Sequence, residues 1–136
     1  RFLNVTGVQT CALPISEQNK HLLRPAGIEK VRQAIEEEQA TVLIISASID
    51  NWVRPFFDEI DKKIQVLGTQ IETKGGCLTG RFTTKNCYGQ EKVNRLTALY
   101  PHREAYELIA FGDSRGDKEL LDFADKGFYK PFRNKK

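Results

Sequence analysis

The chain has 136 residues, of which 40% are apolar and 29% are charged, and its formal net charge at pH 7 is +3. These values are typical of one ordinary globular domain, and so small a charge gives no argument for nucleic-acid or membrane binding. No apolar run approaches the roughly 18 to 20 residues that span a membrane. The cysteines are odd in number and widely spaced (Cys11, Cys77, Cys87), so we expect neither a zinc site nor a disulfide framework, and a reducing cytoplasm is the simplest setting.

The amino-terminal segment has neither helical nor strand periodicity. Residues 5–15 read VTGVQTCALPI, which resembles the translation of a sequencing-library adapter. We therefore expect residues 1–16 to be an adapter-derived, disordered artefact and residues 17–136 to be the carboxyl-terminal part of a natural core domain. The alternative is a disordered natural tail.

Helical and strand patterns alternate along the rest of the chain. Apolar residues at i, i+3, i+4 spacing predict helices, at residues 24–40, 51–63, 89–100 and 117–125. Runs rich in β-branched and apolar residues predict strands, at 41–45, 64–73, 77–84 and 106–113, with a short closing segment at 127–131. Gly75 and Gly76 are a hairpin signal between two of the strands. This alternation favours an α/β fold with an open, mostly parallel sheet.

Polar side chains follow two of the predicted strands, at the edge where such sheets bind ligands. Ser46 comes directly after strand 41–45, and Asp113 and Asp117 follow the apolar run at 108–111. Two carboxylates at one strand end repel each other and lose hydration, so a cation is their natural partner. Oxygen ligands favour Mg²⁺, which binds few protein carboxylates and keeps water and phosphate oxygens in its shell.

Each of these residues also has an ordinary structural explanation. Asp117 could cap the last helix, and Asp113 could end its strand in a turn. Ser46 alone is more often a helix cap or a loop residue than a phosphate ligand. Lys92, on a helix rich in charge, would normally face solvent.

The motifs are more specific in combination. A serine after a buried strand, then GQEKVNRL with Lys92, then FGDSRGD after a second strand resemble, in order across residues 20–132, the haloacid dehalogenase superfamily of phosphatases. The segments SASIDNWVRPFF, GGCLTGRF, NCYGQEKV and GDSRGDKELLDFADKGFYKPF are similar to its phosphoserine-phosphatase-like subgroup (subfamily IB), and within it to a bacterial lipid-phosphate-phosphatase-like branch. The resemblance implies a Rossmann-like core with a mostly parallel sheet.

The resemblance also implies a role for each candidate residue. Ser46 would hydrogen-bond the transferring phosphoryl group, with Ala47 beside it in the phosphate-binding loop. Lys92 would neutralise that group and the nucleophile. Asp113 would bind Mg²⁺ directly, and Asp117 would orient a metal-bound water and pair with Lys92.

The chain departs from the family at the first motif, DxDx[TV], because no two aspartates anywhere in it are spaced as DxD. The nucleophile, the general acid–base aspartate and one metal ligand are therefore missing, as is the cap domain that this subgroup inserts after that motif. The family sheet places the missing first strand centrally, between the strands at 41–45 and 106–113, so we expect two exposed apolar strand edges. The resulting hypothesis is a fragment that is inactive and poorly folded alone.

The function implied for the full-length parent is a magnesium-dependent phosphomonoester phosphatase that forms an aspartyl-phosphate intermediate. This chain has SAS at the second motif and Gly116 before the last aspartate, where phosphoserine phosphatases of the subgroup usually carry SGG and asparagine. The difference favours a small-molecule or lipid phosphomonoester such as phosphatidylglycerophosphate over phosphoserine, which stays an alternative. With a lipid substrate, a cytoplasmic parent would associate with the membrane.

Two other classes remain open. A non-catalytic binding or regulatory protein could keep the fold without the nucleophile. A response-regulator-like receiver would need an acidic pair at the first strand and a lysine at the end of the last strand, and neither is found.

Overall fold

The computed structural model describes residues 20–133, in which helices and strands alternate. The regular elements are α1 (Pro25–Glu36), β1 (Leu43–Ile49), α2 (Asp50–Asp58), β2 (Gln65–Thr69), β3 (Ile71–Lys74), β4 (Cys77–Phe82), α3 (Gln90–Leu99), β5 (Ile109–Gly112), α4 (Lys118–Phe123) and β6 (Lys126–Tyr129). None of these helices has the length and apolar character needed to cross a membrane. The artefact predicted at residues 1–16 lies outside the described residues.

Helix α1 begins at Pro25, whose fixed φ suits the first helical position. The helix ends at Glu36, four residues before the predicted end at residue 40. The reason is that the acidic run from Glu36 to Glu38 is unfavourable at the negative end of the helix dipole. Its apolar side chains Ile28 and Val31 are only half-buried, since they border a cavity rather than a filled core.

Strands β1 and β2 form a parallel pair that is connected through α2. Leu43, Ile44 and Ile45 pair with Gln65, Val66 and Leu67 in register. The register then shifts, and pairing resumes at Ile49 opposite Thr69. The predicted strand end at residue 45 is therefore too early, because this irregular pairing carries β1 through Ser46 to Ile49.

The segment predicted as one strand at 64–73 is divided at Gln70 between two different sheets. Its first half is β2, which pairs with β1, and its second half is β3, which forms an antiparallel hairpin with β4. Gly75 and Gly76 have φ values of 59° and 80°, which confirms the predicted turn, because a two-residue hairpin loop of this kind needs positive φ at both positions.

Strands β5 and β6 form a second parallel pair, with α4 as the connection. The largest buried cluster includes Ala110 of β5 itself. Its other side chains come from α3 and α4, namely Val93, Leu96 and Leu120. The predicted α/β class with parallel pairing is thereby confirmed.

Among the described strands, β1 and β5 do not pair with each other. Both strands instead line one largely apolar cavity of about 410 Å³, which we call the interstrand cleft. Ile44 and Ile45 of β1, Ile109 and Phe111 of β5, and the apolar face of α1 border it. Ile109 and Phe111 are exposed as a result, and the cleft leaves a parallel strand edge free on each side.

Candidate functional site

A cavity of about 610 Å³ gathers residues from the carboxyl ends of β1 and β5 and from α3. All five candidate residues line this cavity, namely Ser46, Ala47, Lys92, Asp113 and Asp117. Strands β1 and β5 belong to separate parallel pairs, but their carboxyl ends face the same cavity, so residues distant in the chain meet there.

Lys92 is 6% exposed, although it is a lysine on a charged helix. Its Nζ donates to Asp117 Oδ1 at 2.7 Å and to the Ile45 carbonyl at 2.9 Å. Leu96, which lies four residues further along the same face of α3, belongs to the core, so this side of the helix turns inward. The solvent-facing alternative for Lys92 is therefore wrong, because a buried ammonium needs such partners to offset its lost hydration.

Asp117 has both carboxylate oxygens engaged. Oδ1 accepts from Lys92, whereas Oδ2 accepts from the backbone N–H groups of Asp113 and Ser114, each at 3.0 Å, and from Ser114 Oγ at 2.9 Å. Asp117 does not cap the last helix, as the sequence allowed, because its side chain makes no capping hydrogen bond to α4. It instead forms a capping box with Ser114 on the short helical turn at Arg115–Asp117. Burial raises the pKa of Asp117, but the hydrogen bonds from Lys92 and Ser114 outweigh it and hold the pKa below its ordinary value.

Gly112 allows Asp117 to approach the end of β5. A Cβ at position 112 would lie 2.5 Å from the Cβ of Asp117, which is closer than real Cβ atoms come to another carbon. A side chain there would push the Asp117 carboxylate away from the turn that it caps.

Asp113 lies at the cavity wall, and its side chain is 48% exposed. Its Oδ2 is 3.7 Å from Arg24 Nη2 and 3.4 Å from Arg133 Nη2. Sequence reasoning missed both arginines, because no local spacing pattern links them to Asp113. Ion pairs this exposed contribute little stability, so Asp113 stays available to another cation.

Ser46, Ala47 and Ser48 form the irregular carboxyl end of β1 directly before α2, which we call the Ser46 loop. Ser46 Oγ accepts from the Ser48 N–H at 3.1 Å, and Ala47 is an exposed residue that lines the cavity. Helix α2 follows at Asp50, and its Val53 and Phe57 side chains line the cavity. A hydroxyl and a buried ammonium in one cavity suit an anion such as phosphate.

The carboxylates that face this cavity fit Mg²⁺ only in part. Among residues 20–133 no group of three or more histidine, cysteine, aspartate or glutamate side chains is suited to hold a metal ion. Asp113 can serve as one oxygen ligand, whereas Asp117 has already committed both oxygens. A complete metal site therefore needs ligands beyond the described residues, from substrate, water or further carboxylates.

Comparison with known proteins identifies relatives of this chain. A family model described as haloacid dehalogenase-like hydrolase matches residues 7–122. Protein CicA of Caulobacter vibrioides is 32% identical over 115 residues, which are 84% of this chain and 50% of CicA. The chain thus spans about half the length of the curated relatives that it matches.

Two solved structures share the fold. A protein of unknown function from Bordetella pertussis Tohama I has a TM-score of 0.62 and 18% identity, over 72% of this chain and 46% of its own. Cytosolic 5'-nucleotidase IIIB, bound to cytidine, has a TM-score of 0.69 and 17% identity, over 89% of this chain and 44% of its own. With the family match over most of its length, the chain belongs to the haloacid dehalogenase-like hydrolase family.

Proposed function

We propose that this chain supplies the phosphate-binding half of a magnesium-dependent phosphomonoester phosphatase that works through an aspartyl-phosphate. The observation that carries the proposal is the buried contact between Lys92 and Asp117, at 2.7 Å, in the cavity that Ser46 and Asp113 also line. Family membership makes a hydrolase the expected class of enzyme.

The hydrogen-bonding capacity of Lys92 and Ser46 supports phosphoryl binding. An ammonium has three N–H donors, and Lys92 uses two of them on Asp117 and the Ile45 carbonyl. The third is available for a phosphoryl oxygen. Ser46 Oγ accepts from the Ser48 N–H, so its own O–H hydrogen is also available to a phosphoryl oxygen.

Asp117 holds the lysine in place rather than reacting itself. Its carboxylate fixes the Lys92 ammonium from one oxygen and the Asp113–Ser114 turn from the other, so both cavity groups keep their positions as charge builds on the phosphoryl oxygens. Asp113 would be one ligand of Mg²⁺, which when bound neutralises negative charge on the phosphate and the attacking carboxylate.

The interstrand cleft supports a second part of the proposal, namely that a further β-strand of the intact enzyme seats between β1 and β5. A strand parallel to both would satisfy the two free edges and bury Ile109 and Phe111. Its carboxyl end would meet the edge where Ser46 and Lys92 lie. A DxDx[TV] motif at that end would supply the nucleophile, and the chain without it would hydrolyse nothing.

The lining of the site cavity supports an amphiphilic substrate. Apolar side chains, among them Phe57, Phe111 and Phe132, share the cavity with Arg24 and Arg133. Such a wall suits a phosphomonoester that carries an apolar body and a second anionic group, as phosphatidylglycerophosphate does, better than it suits phosphoserine. Free thiols at Cys77 and Cys87 are compatible with a cytoplasmic setting, which stays a prediction.

Binding of inorganic phosphate to the full chain tests the site. We expect Lys92→Met to weaken binding roughly 10- to 150-fold, the range for a hydrogen bond to a charged group. Ser46→Ala, which removes a partly exposed hydroxyl and leaves the core intact, should weaken it by a smaller factor. Lys118→Met, a change to an exposed lysine on α4, is the matched control. Equal phosphate affinity in all four proteins would refute a phosphate site here.

Hydrolysis of p-nitrophenyl phosphate tests the missing strand. The chain alone should be inactive with or without Mg²⁺. Addition of a synthetic strand peptide that ends in DxDx[TV] should restore magnesium-dependent turnover, and a peptide with both aspartates replaced by asparagine should not. Turnover by the chain alone would show that the nucleophile lies within it.

A non-catalytic regulatory protein is the second candidate, favoured by the absence of DxD from the sequence. Sequencing the source DNA upstream of Ser16 separates the two. A strand followed by DxDx[TV] in frame supports the phosphatase, whereas encoded residues 1–15 behind a start codon support the regulatory protein.

A further inference from the structure

We propose that Thr69 is a positioning residue that sets the distance between the Ser46 loop and Lys92. The inference rests on the proposed phosphate-binding function of that cavity. Thr69 is the last residue of β2 and is only 4% exposed. No motif in the sequence singled it out.

The Thr69 hydroxyl joins two segments that meet at the cavity. Its Oγ1 donates to the Ala47 carbonyl at 2.8 Å and accepts from the Cys87 N–H at 3.2 Å. Ala47 follows Ser46 directly, and Cys87, itself fully buried, belongs to the segment that leads into α3 and Lys92. One hydroxyl thus links the loop that carries the phosphate-binding serine to the approach of the helix that carries the lysine.

The end of β2 is packed too tightly to let this link shift. A Cβ on Gly68 would lie 2.7 Å from the Ser48 carbonyl oxygen and 2.8 Å from the Asp50 nitrogen, so the strand touches the point where the loop turns into α2. The Gly68 carbonyl also accepts from Arg95 Nη1 of α3 at 2.8 Å. Strand β2 therefore contacts both sides of the cavity, and Thr69 is the side chain with a hydrogen bond to each.

Loss of this hydroxyl leaves the part-buried Ala47 carbonyl and the buried Cys87 N–H without their partner, and a buried N–H is costly to leave unpaired. The loop would relax toward other partners, which moves Ser46 relative to Lys92. Lys92 would keep its hydrogen bond to the Ile45 carbonyl, because Ile45 precedes the Ser46 loop in the chain. When two groups that bind the same phosphoryl group move about 1 Å relative to each other, their combined binding of it weakens strongly.

The test compares Thr69→Val, which keeps the shape and removes the hydroxyl, with Thr69→Ser, which keeps the hydroxyl. Thr97→Val is the matched control, because the Thr97 hydroxyl bonds only within α3. Inorganic phosphate is titrated into each full chain by calorimetry, and hydrogen exchange of the Ser48 and Cys87 amides is followed by NMR. A stabilising osmolyte is present throughout to favour the compact state.

We expect Thr69→Val to weaken phosphate binding about tenfold, or about 1.4 kcal/mol, and to speed amide exchange at both Ser48 and Cys87. Thr69→Ser should restore both, and Thr97→Val should change neither. Faster exchange at Cys87 alone, with phosphate affinity unchanged, would overturn the positioning role and leave the proposed function standing. If wild type and Lys92→Met bind phosphate equally poorly, the proposed function fails and this inference fails with it.

Discussion

Replacement of Asp117 by asparagine removes a charge from the most buried ion pair of the described chain and keeps the shape of the side chain. The native carboxylate accepts from Lys92 Nζ on one oxygen and from three donors of the Asp113–Ser114 turn on the other. Asparagine has one oxygen and one NH₂ group. Whichever way the amide turns, its NH₂ group faces either the Lys92 ammonium or the turn donors, so one set loses its acceptor.

The size of the effect follows from burial. The side chains of Lys92 and Asp117 are 8% and 13% exposed, so solvent screens the unpaired ammonium weakly. Removal of one partner from a buried pair costs about 3–5 kcal/mol, and we expect the lower end, about 3 kcal/mol, because Lys92 keeps its bond to the Ile45 carbonyl. The pair of Lys118 and Asp122 offers a matched control, since both side chains are exposed and Asp122→Asn should change the free energy of unfolding far less.

Urea unfolding at pH 7, followed by circular dichroism in trimethylamine N-oxide, measures both variants. With a urea dependence of about 2 kcal/mol per molar, a loss of 3 kcal/mol lowers the midpoint by about 1.5 M. Asp122→Asn should lower the midpoint far less, because solvent screens the exposed pair. A midpoint for Asp117→Asn within 0.3 M or so of the Asp122→Asn value would refute the reasoning, because it would mean that the ammonium finds solvent or another acceptor at little cost.

Three further predictions concern pH and packing. The folded pKa of Asp117 lies below its unfolded value of about 4, so its contribution to stability is fully present above that value and is lost as the pH falls through the folded pKa. Between pH 6 and pH 3, the urea midpoint should therefore fall less for Asp117→Asn than for wild type. Equal falls in the two proteins would contradict the lowered pKa of Asp117. Gly112→Ala should lower the free energy of unfolding by about 1–3 kcal/mol and accelerate amide exchange at Ser114, because the new Cβ would clash with the Cβ of Asp117. Unchanged exchange at Ser114 would show that the turn accommodates the methyl group. Leu96→Ala should lower the free energy of unfolding by about 2–5 kcal/mol in the same urea assay, because Leu96 is 1% exposed in the core. Leu99 lies on the same helix but is 51% exposed, so Leu99→Ala should lower it far less. Equal losses in the two variants would show that Leu96 is not part of the core.

Local sequence chemistry was sufficient for the elements that depend on near neighbours. Pro25 marked the start of α1, the β-branched run marked β1, and Gly75 and Gly76 marked the hairpin turn, because backbone preferences and apolar periodicity act within a few residues. The presence of Ser46 and Asp113 at one cavity was also predictable, since parallel strands share their carboxyl edge.

The remaining features depend on partners far away in the chain, which no local pattern reveals. Its local pattern alone would leave Lys92 facing solvent, and only the family resemblance implied its pairing with Asp117. The approach of Asp117 and the Ile45 carbonyl makes its burial tolerable. The division of one predicted strand at Gln70 follows from competition between two pairing partners, β1 and β4. The link from Thr69 to Ala47 and Cys87 is likewise a tertiary contact. Sequence determined where most of the helices and strands lie and which polar residues follow the strands, whereas the tertiary structure decided which of those charges are buried, because burial of a charge is stable only where the fold supplies its counter-charge and hydrogen bonds.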